Sequence, residues 1–205
     1  MKHMRKALSL LLVLAMVVCF AVPAFADGTA TEAKVTVYVT RDQFSEGGLN
    51  KKQAYEGGDP ATITDGLVFK DSFTISDVDT TTLNNCRAKY APDVDLPSTM
   101  NVLDAIAYVL MKNNYNFSGG WDTWNVPNGG YISSVDGFVG NPDVGSDNVD
   151  GVDYTVYYGS GWNIAFGTAS NSLTPPEYYG TYYDLEPGMI IVFDFSAYKL
   201  YYPAG

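Results

Sequence analysis

The side chains of this chain that are best suited to binding a ligand are aromatic residues in segments predicted as loops. Their flat rings can stack on a bound molecule. Trp121 and Trp124 stand three positions apart in the Gly-, Asn- and Pro-rich residues 116–130. Tryptophan and tyrosine rings offer a large apolar surface at little cost in conformational entropy, and small-molecule pockets are lined with them. The two tryptophans are therefore candidate ligand-binding residues, and the alternative is that they cover one end of the core.

A third tryptophan and several tyrosines extend this set. Trp162 follows a glycine at the start of a predicted strand, Tyr131 opens another strand, and four tyrosines surround Gly180 in residues 168–183. Grouped rings suit a planar or sugar-like ligand. The alternatives are a core position for Trp162 and an ordinary tyrosine-rich surface loop around Gly180. The candidate ligand-binding residues are Trp121, Trp124, Tyr131, Trp162, Tyr178, Tyr179 and Tyr182.

Residues 141–153 are a second candidate site, because they carry four aspartates and two asparagines, which are calcium ligands. If Gly151 takes the sixth position of an EF-hand loop, Ser146 falls at the first position and Tyr157 at the twelfth, where carboxylates are needed. The EF-hand pattern therefore fails. We expect a solvated acidic loop, with an irregular calcium site as the alternative.

The first 26 residues have the layout of a secretory signal peptide. A basic beginning is followed by the apolar residues 7–22 and by Ala24-Phe25-Ala26, which is a small–x–small cleavage site. The apolar run is short for a membrane span. We expect cleavage after Ala26, a secreted protein, and a single domain in residues 27–205.

Removal of the leader would exclude most kinds of catalytic site. The only histidine, His3, and one of the two cysteines, Cys19, lie in the leader. Without them the chain has no Ser-His-Asp or Cys-His pair, no His-ligated metal and no internal disulfide. Carboxylate pairs can hydrolyse glycosides without histidine, but no Asp or Glu stands in a motif that marks it as catalytic. We expect a protein that is not an enzyme and holds no transition metal.

The net charge of the chain limits the classes of binding partner, and Cys86 is the one cysteine that remains. The formal charge of −11 becomes −14 once the three basic residues of the leader are removed, which disfavours nucleic acid and anionic lipid as partners. The remaining thiol, Cys86, lies near Arg87 and Lys89, and these charges would lower its pKa. We expect a free thiol that is buried or partly covered, with an intermolecular disulfide as the alternative.

One helix dominates the predicted elements, in residues 98–114. Val102, Leu103, Ile106 and Leu110 recur at helical spacing, and Thr99 is placed to cap the first turn. The alternating and apolar runs predict strands, and the Gly-, Asn- and Pro-rich runs predict loops. The predicted strands are residues 34–40, 67–76, 131–135, 154–158, 161–167 and 184–195, and the predicted loops are residues 41–66, 77–96, 116–130, 141–153 and 168–183.

Five short motifs follow one another between residues 35 and 195. They are VTVYV, VLDAI, GGYISSVDG, Gly161-Trp162 and a final LxPGxxIxFxF hairpin. This ordered set resembles the transcobalamin-like domain of secreted bacterial proteins, which is also the C-terminal β-domain of vitamin B12 carriers. The resemblance implies the soluble-ligand-binding branch of the β-grasp fold and a corrinoid such as cobalamin as the ligand.

Together these observations predict an α+β domain in which a β-grasp-like sheet packs on one main helix, with long loop insertions. We expect it to bind a small soluble ligand through its aromatic loops. An extracellular protein-interaction or surface-assembly module and a carbohydrate-binding domain remain open alternatives. A concave aromatic pocket would favour ligand binding, and an unpaired edge strand would favour an interaction module.

Overall fold

A computed structural model of the protein describes residues 32–49, 51–124 and 128–204, which belong to the unit Glu32–Gly205. The predicted signal peptide, its cleavage site, His3 and Cys19 lie outside these residues. Within the described ranges, two α-helices and eight strands in two sheets form an α+β structure, so the predicted class is confirmed at this level. The elements are β1 (Val35–Arg41), β2 (Phe69–Phe73), α1 (Thr80–Arg87), α2 (Val102–Lys112), β3 (Phe117–Asp122), β4 (Gly129–Val135), β5 (Phe138–Val139), β6 (Asn141–Val149), β7 (Val152–Gly167) and β8 (Ile190–Pro203).

The larger sheet has the strand order β2-β1-β8-β7-β6. Its neighbours are antiparallel except at the centre, where β1 runs parallel to β8 with Val39 beside Phe193. Strand β1 forms because Val35, Val37 and Val39 alternate with Thr and Tyr, which gives the strand one fully apolar face. The smaller sheet has the order β3-β4-β5, whereas the sequence predicts a single sheet.

Helix α2 supplies one side of the core, as its apolar spacing predicts. Val102, Leu103, Ile106 and Leu110 are buried and share one cluster with the apolar face of β1 and with side chains of β8. Burying such side chains contributes on the order of 1.5–3 kcal/mol each. This helix and the centre of the larger sheet therefore hold most of the core.

Helix α2 begins later than predicted, and its N-cap is Asn101 rather than Thr99. The side-chain oxygen of Asn101 accepts from the backbone N–H of Asp104 at 2.9 Å, and a carboxylate oxygen of Asp104 accepts from the N–H of Asn101 at 3.0 Å. This reciprocal pair satisfies two backbone donors. The carbonyl of Thr99 accepts from Arg87 instead, which keeps residues before Asn101 out of the helix.

Helix α1 lies inside a segment predicted as a loop. Its sequence, TTTLNNCR, is rich in Thr and Asn, which have low helix propensity. Asp79 caps it by accepting from the N–H of Thr82 at 2.7 Å, and the helix buries Leu83, Cys86 and Arg87. Tertiary packing therefore overrides the weak local propensity.

The predicted acidic loop 141–153 is an antiparallel hairpin of β6 and the first part of β7. Its turn is Asp150-Gly151, and both residues have positive φ, at 53° and 82°. This conformation matches the right-handed twist of the flanking strands. Nearly all residues of β6 are exposed. Because no face of the strand is buried, its sequence does not alternate between apolar and polar residues, and the strand is therefore not predicted from it.

Three other predictions of strands and loops are wrong. Residues 154–158 and 161–167 are not two strands joined by a turn but parts of the continuous β7. Strand β8 runs on to Pro203, beyond the predicted end at residue 195. Residues 117–122, predicted as loop, form β3. The extra length of β7 and β8 is held by pairing between them, from Tyr154 beside Pro203 to Gly167 beside Ile190.

Arg41, the first residue of the predicted loop 41–66, belongs to β1, and residues 42–66 cover the face of the larger sheet that lies opposite the helices. It is anchored by Asp194, whose buried carboxylate accepts from the N–H of Gln43 at 3.2 Å and from the hydroxyl of Thr40 at 2.7 Å. The hydroxyl of Ser196 also donates to Asp194. Burial raises the pKa of Asp194 above its ordinary value, and these hydrogen bonds offset only part of that effect.

Neither described helix has the length and apolar character that a bilayer-spanning segment requires.

Candidate ligand-binding cleft

A cleft of about 350 Å³ opens where β4, β7 and residues 175–180 meet. Four of the predicted ligand-binding residues line it, namely Tyr131, Trp162, Tyr178 and Tyr179. They come from three separate parts of the chain, and only the packing of the sheets brings them together. The volume lies at the low end of the range for small-molecule sites, roughly 300–1,000 Å³.

The indole of Trp162 is a fixed wall of the cleft. Its ring stacks on Phe193 with the centroids 4.5 Å apart and the planes 17° apart. Its ring N–H donates to the carbonyl of Phe138 at 3.0 Å. Because the side chain is half-buried and its one donor is used, it offers a ligand an apolar surface in a set position.

Tyr131 is 42% exposed and stands on β4. A side chain in place of Gly120 would meet its ring, with a Cβ only 2.9 Å from the phenolic oxygen. The glycine therefore gives the ring room to lie across β3. The phenol is partly accessible from the cleft and can both stack and hydrogen-bond.

Tyr179 is held against the smaller sheet. Its hydroxyl donates to the carboxylate of Asp122 at the end of β3, and its ring lies where a Cβ on Gly129 would be 2.6 Å from it. Tyr178, its neighbour, is exposed and only tilted against Tyr182, with ring centroids 6.1 Å apart. At the edge of the cleft, Tyr179 is therefore held in place by its contacts, whereas Tyr178 has few contacts.

The other three predicted residues do not line the cleft. Trp121 lies in β3 instead of a loop and packs half-buried against the core, which is the alternative that the sequence left open. Trp124 is 94% exposed. Tyr182 is exposed, and its ring lies beside that of Tyr178. A loop position alone does not tell which aromatic residues face a common space.

Two amides that the sequence analysis missed supply polar groups to the cleft. The side-chain N–H of Gln53 donates to the carbonyl of Ala197 at 3.2 Å, and that of Asn163 donates to the carbonyl of Gly161 at 3.1 Å. These bonds orient the amides, and each side-chain oxygen still has acceptor capacity. The two residues are far apart in sequence, and neither stands in a motif that signals a site.

The lining carries no charge. Among the described residues that form the cleft there is no Asp, Glu, Lys, Arg or His, although such residues make up 17% of the chain apart from histidine. Uncharged walls of aromatic rings and amides suit a neutral ligand, because an ion placed there would lose its hydration without gaining a counter-charge.

The edge of β7 also lies in the cleft. β6 pairs with β7 only as far as Ser160, and Thr174 pairs with Phe166 farther along the same edge. Between them, the described part of the chain provides no strand partner on that edge for residues 161–165. Trp162, Asn163 and Ile164 of this stretch line the cleft.

The acidic residues of the 141–153 hairpin are spread along it. Asp153 accepts from the side chain of Asn148 at 2.6 Å, and Asp147 accepts from the hydroxyl of Tyr201 at 3.2 Å. Across residues 32–49, 51–124 and 128–204, no group of three or more His, Cys, Asp or Glu side chains is placed to hold a metal ion. The structure therefore adds no support to the calcium alternative.

Cys86 is a buried free thiol, and Arg87 lowers its pKa as expected, but the net shift of the pKa is upward. Burial raises its pKa to about 12, and the nearby carboxylate of Asp104 adds to this shift, while Arg87 lowers the pKa only in part. The basic neighbours therefore do not produce a reactive thiolate.

Native protein is expected to resist alkylation at Cys86, because both burial and the raised pKa keep the thiolate scarce. Iodoacetamide at pH 8 followed by peptide mapping should show almost no label at Cys86 in the folded protein and full label in 6 M guanidinium. Rapid labelling of the folded protein would contradict this description of the thiol.

Chemically, the cleft offers stacking faces and neutral hydrogen-bonding groups, and it brings no carboxylate, amine or imidazole to a bound molecule. Comparison of the chain with protein-family models, curated proteins and solved structures found no match.

Proposed function

We propose that the protein is a secreted, non-enzymatic binding domain that takes an uncharged ligand into the cleft between β4 and β7. The observation that carries this proposal is the uncharged lining, in which Tyr131, Trp162 and Tyr179 present rings beside the amides of Gln53 and Asn163. The signal-peptide pattern of residues 1–26 supports export.

A catalytic role is disfavoured by the chemistry of the lining. Hydrolysis by paired carboxylates needs two of them roughly 5–9.5 Å apart across the scissile bond, and the described residues of the cleft bring none. The nearest titratable groups within it are phenols. Binding energy, rather than bond cleavage, is what these side chains can supply.

The size of the cleft bears on the corrinoid that the family resemblance implies. A corrin ring with its amide arms is larger than a space of about 350 Å³, so only an arm or an edge of the macrocycle would enter. Residues 27–205 contain no histidine that would serve as an axial ligand. Smaller neutral groups, such as one sugar ring or a short stretch of peptide, fit the space better.

Replacing Tyr131 by alanine is expected to weaken ligand binding about 5- to 10-fold, because one stacking contact of about 1 kcal/mol is lost. We would titrate cobinamide, cobalamin, maltohexaose, chitohexaose and capped uncharged peptides while following tryptophan fluorescence. Trp162 is the reporter in the cleft.

Trp124→Ala is the matched control, because this fully exposed aromatic residue lies outside the cleft. Its binding should equal that of the unmodified protein. Equal losses in Tyr131→Ala and Trp124→Ala would overturn the assignment of the cleft, and so would the absence of binding by every probe.

A further inference from the structure

We propose that the ligand is an extended, uncharged peptide segment, which adds to the free edge of β7 as a short strand between Ser160 and Phe166. This inference rests on the proposed function, since it takes the cleft as the ligand site and names the class of ligand. Strand addition of this kind draws its affinity from main-chain hydrogen bonds and its specificity from alternate side chains.

The hydrogen bonds of Phe166 fix the direction in which the edge points. Its N–H donates to the carbonyl of Thr174 at 3.1 Å, and its carbonyl accepts from the N–H of Thr174 at 3.2 Å. Because backbone groups alternate in direction along an antiparallel strand, the N–H and C=O groups of Ile164 and Trp162 point to the same side. In the described part of the chain these four groups have no backbone partner.

The two ends of the free edge set the length of the segment that fits. One end is the pair of Asn141 and Ser160, where β6 begins, and the other is the pair of Phe166 and Thr174. Gly140 already lies beside Gly161, since a Cβ on Gly140 would be 3.8 Å from the Cα of Gly161. Trp162, Asn163 and Ile164, which line the cleft, span about 10 Å at roughly 3.4 Å per residue. A segment with about three residues inside the cleft can therefore continue the line of β6 and make up to four hydrogen bonds.

The chain cannot close this gap with its own residues after Thr174. The next two residues are Pro175 and Pro176, which lack the N–H that pairing requires, and both line the cleft. Free edges are usually protected by charged or proline side chains on the edge strand itself. The stretch Gly161–Trp162–Asn163–Ile164–Ala165 carries neither, so its backbone stays open to an incoming strand.

The lining on the two sides of the edge determines which side chains the segment carries. Successive residues of a strand point to opposite faces. The lining includes Leu103 and Ile132, which belong to the core cluster on the helix side of the sheet, and Phe44 and Gln53, which belong to residues 42–66 on the opposite side. Both faces are uncharged, which favours apolar or small polar side chains and disfavours Asp, Glu, Lys and Arg.

The test begins with a random heptapeptide phage library that is selected on the purified protein. The strongest peptide is then synthesised with capped ends, and each of its amides is N-methylated in turn. We expect binding to fall at least 10-fold for methyl groups at every second residue and less than 2-fold at the residues between, because only alternate N–H groups face β7. Loss without alternation, or no selected peptide, would overturn the proposal.

A variant of the protein tests the same contact from the other side. Ile164→Pro removes one outward N–H, and we expect it to weaken the selected peptide at least 10-fold. Ser146→Pro is the matched control on β6: by the same alternation its N–H points away from β7, as does the position that Pro142 already occupies. Its binding should stay unchanged. If Ile164→Pro does not fold, the methylation series decides alone.

The outcomes also separate this inference from the proposed function. Saccharide or corrinoid binding that Tyr131→Ala weakens, together with no peptide binding, would overturn the peptide and leave the cleft as the ligand site. Absence of binding by every probe would overturn both. Alternating sensitivity to N-methylation, together with loss in Ile164→Pro alone, would establish strand addition.

Discussion

Replacing Asp104 by alanine is expected to destabilise the protein by about 3–5 kcal/mol, because a buried guanidinium would lose its counter-charge. The carboxylate of Asp104 is fully buried and accepts from two nitrogens of Arg87, at 3.0 and 2.7 Å. The hydroxyl of Tyr90 also donates to it, at 2.6 Å. One substitution therefore leaves several buried donors unpaired and removes half of the α2 cap.

The matched comparison is the ion pair between Lys112 and Asp71, with its atoms 2.9 Å apart. Its lysine side chain is 42% exposed, so Lys112→Ala should lower stability by about 0–1 kcal/mol only. Urea unfolding of the two variants beside the unmodified protein measures both losses. Similar losses in the two variants would show that burial of Asp104 is not decisive.

Replacing Asp194 by alanine is expected to lower the free energy of unfolding by about 3 kcal/mol at pH 5, since buried donors would lose their acceptor. The donors are the hydroxyls of Thr40 and Ser196 and the N–H of Gln43. The same variant should loosen residues 42–66, which carry Phe44 and Gln53 to the cleft. Hydrogen exchange of these residues, beside urea unfolding, measures both effects.

The pH dependence of Asp194 follows from the direction of its shift. Its pKa is raised in the folded protein, so the stabilisation that comes with the shift is complete below the unfolded-state pKa and is lost as the pH rises through the folded pKa. Asp194→Asn keeps the shape of the side chain and cannot titrate. The unfolded-state pKa of an aspartate is about 3.9, so the stability of the unmodified protein relative to Asp194→Asn should be greater at about pH 3 than at about pH 8. A constant difference, or the opposite trend, would contradict the raised pKa.

Helices and strands that bury one face in the core could be predicted from the sequence. Elements without a buried apolar face could not be predicted in this way. The apolar residues at helical spacing in α2 and at every second position in β1 are the residues that lie in the core, so their spacing predicts both elements. Strand β6 is exposed along nearly its whole length, so its sequence has no apolar residue at every second position. The only local signal is Asp150-Gly151, which is a recognised hairpin turn sequence. Helix α1 stays hidden for a different reason, because its Thr- and Asn-rich sequence has low helix propensity.

For the candidate site, the sequence indicates which residue types can bind a ligand, but it does not indicate which of these residues lie together in the fold. The type of side chain drew attention to Tyr131, Trp162, Tyr178 and Tyr179, which line one cleft, and equally to Trp124, which is 94% exposed and lies outside it. The amide of Gln53 could not be predicted, since only the packing of residues 42–66 on the sheet brings it there. The free edge of β7 depends on where the pairing of β6 stops, which no local pattern specifies.

The parallel pairing of β1 with β8 gives the fold a particular order of assembly. Thr40 and Asp194, which meet in the centre of the larger sheet, are 154 residues apart. During synthesis β1 is made well before its central neighbour β8, so the larger sheet cannot close until β8 has also been made. Contacts of such long range make folding slow, because a large loop must be closed before they stabilise the protein. The centre of the larger sheet therefore forms only after β8 has been made.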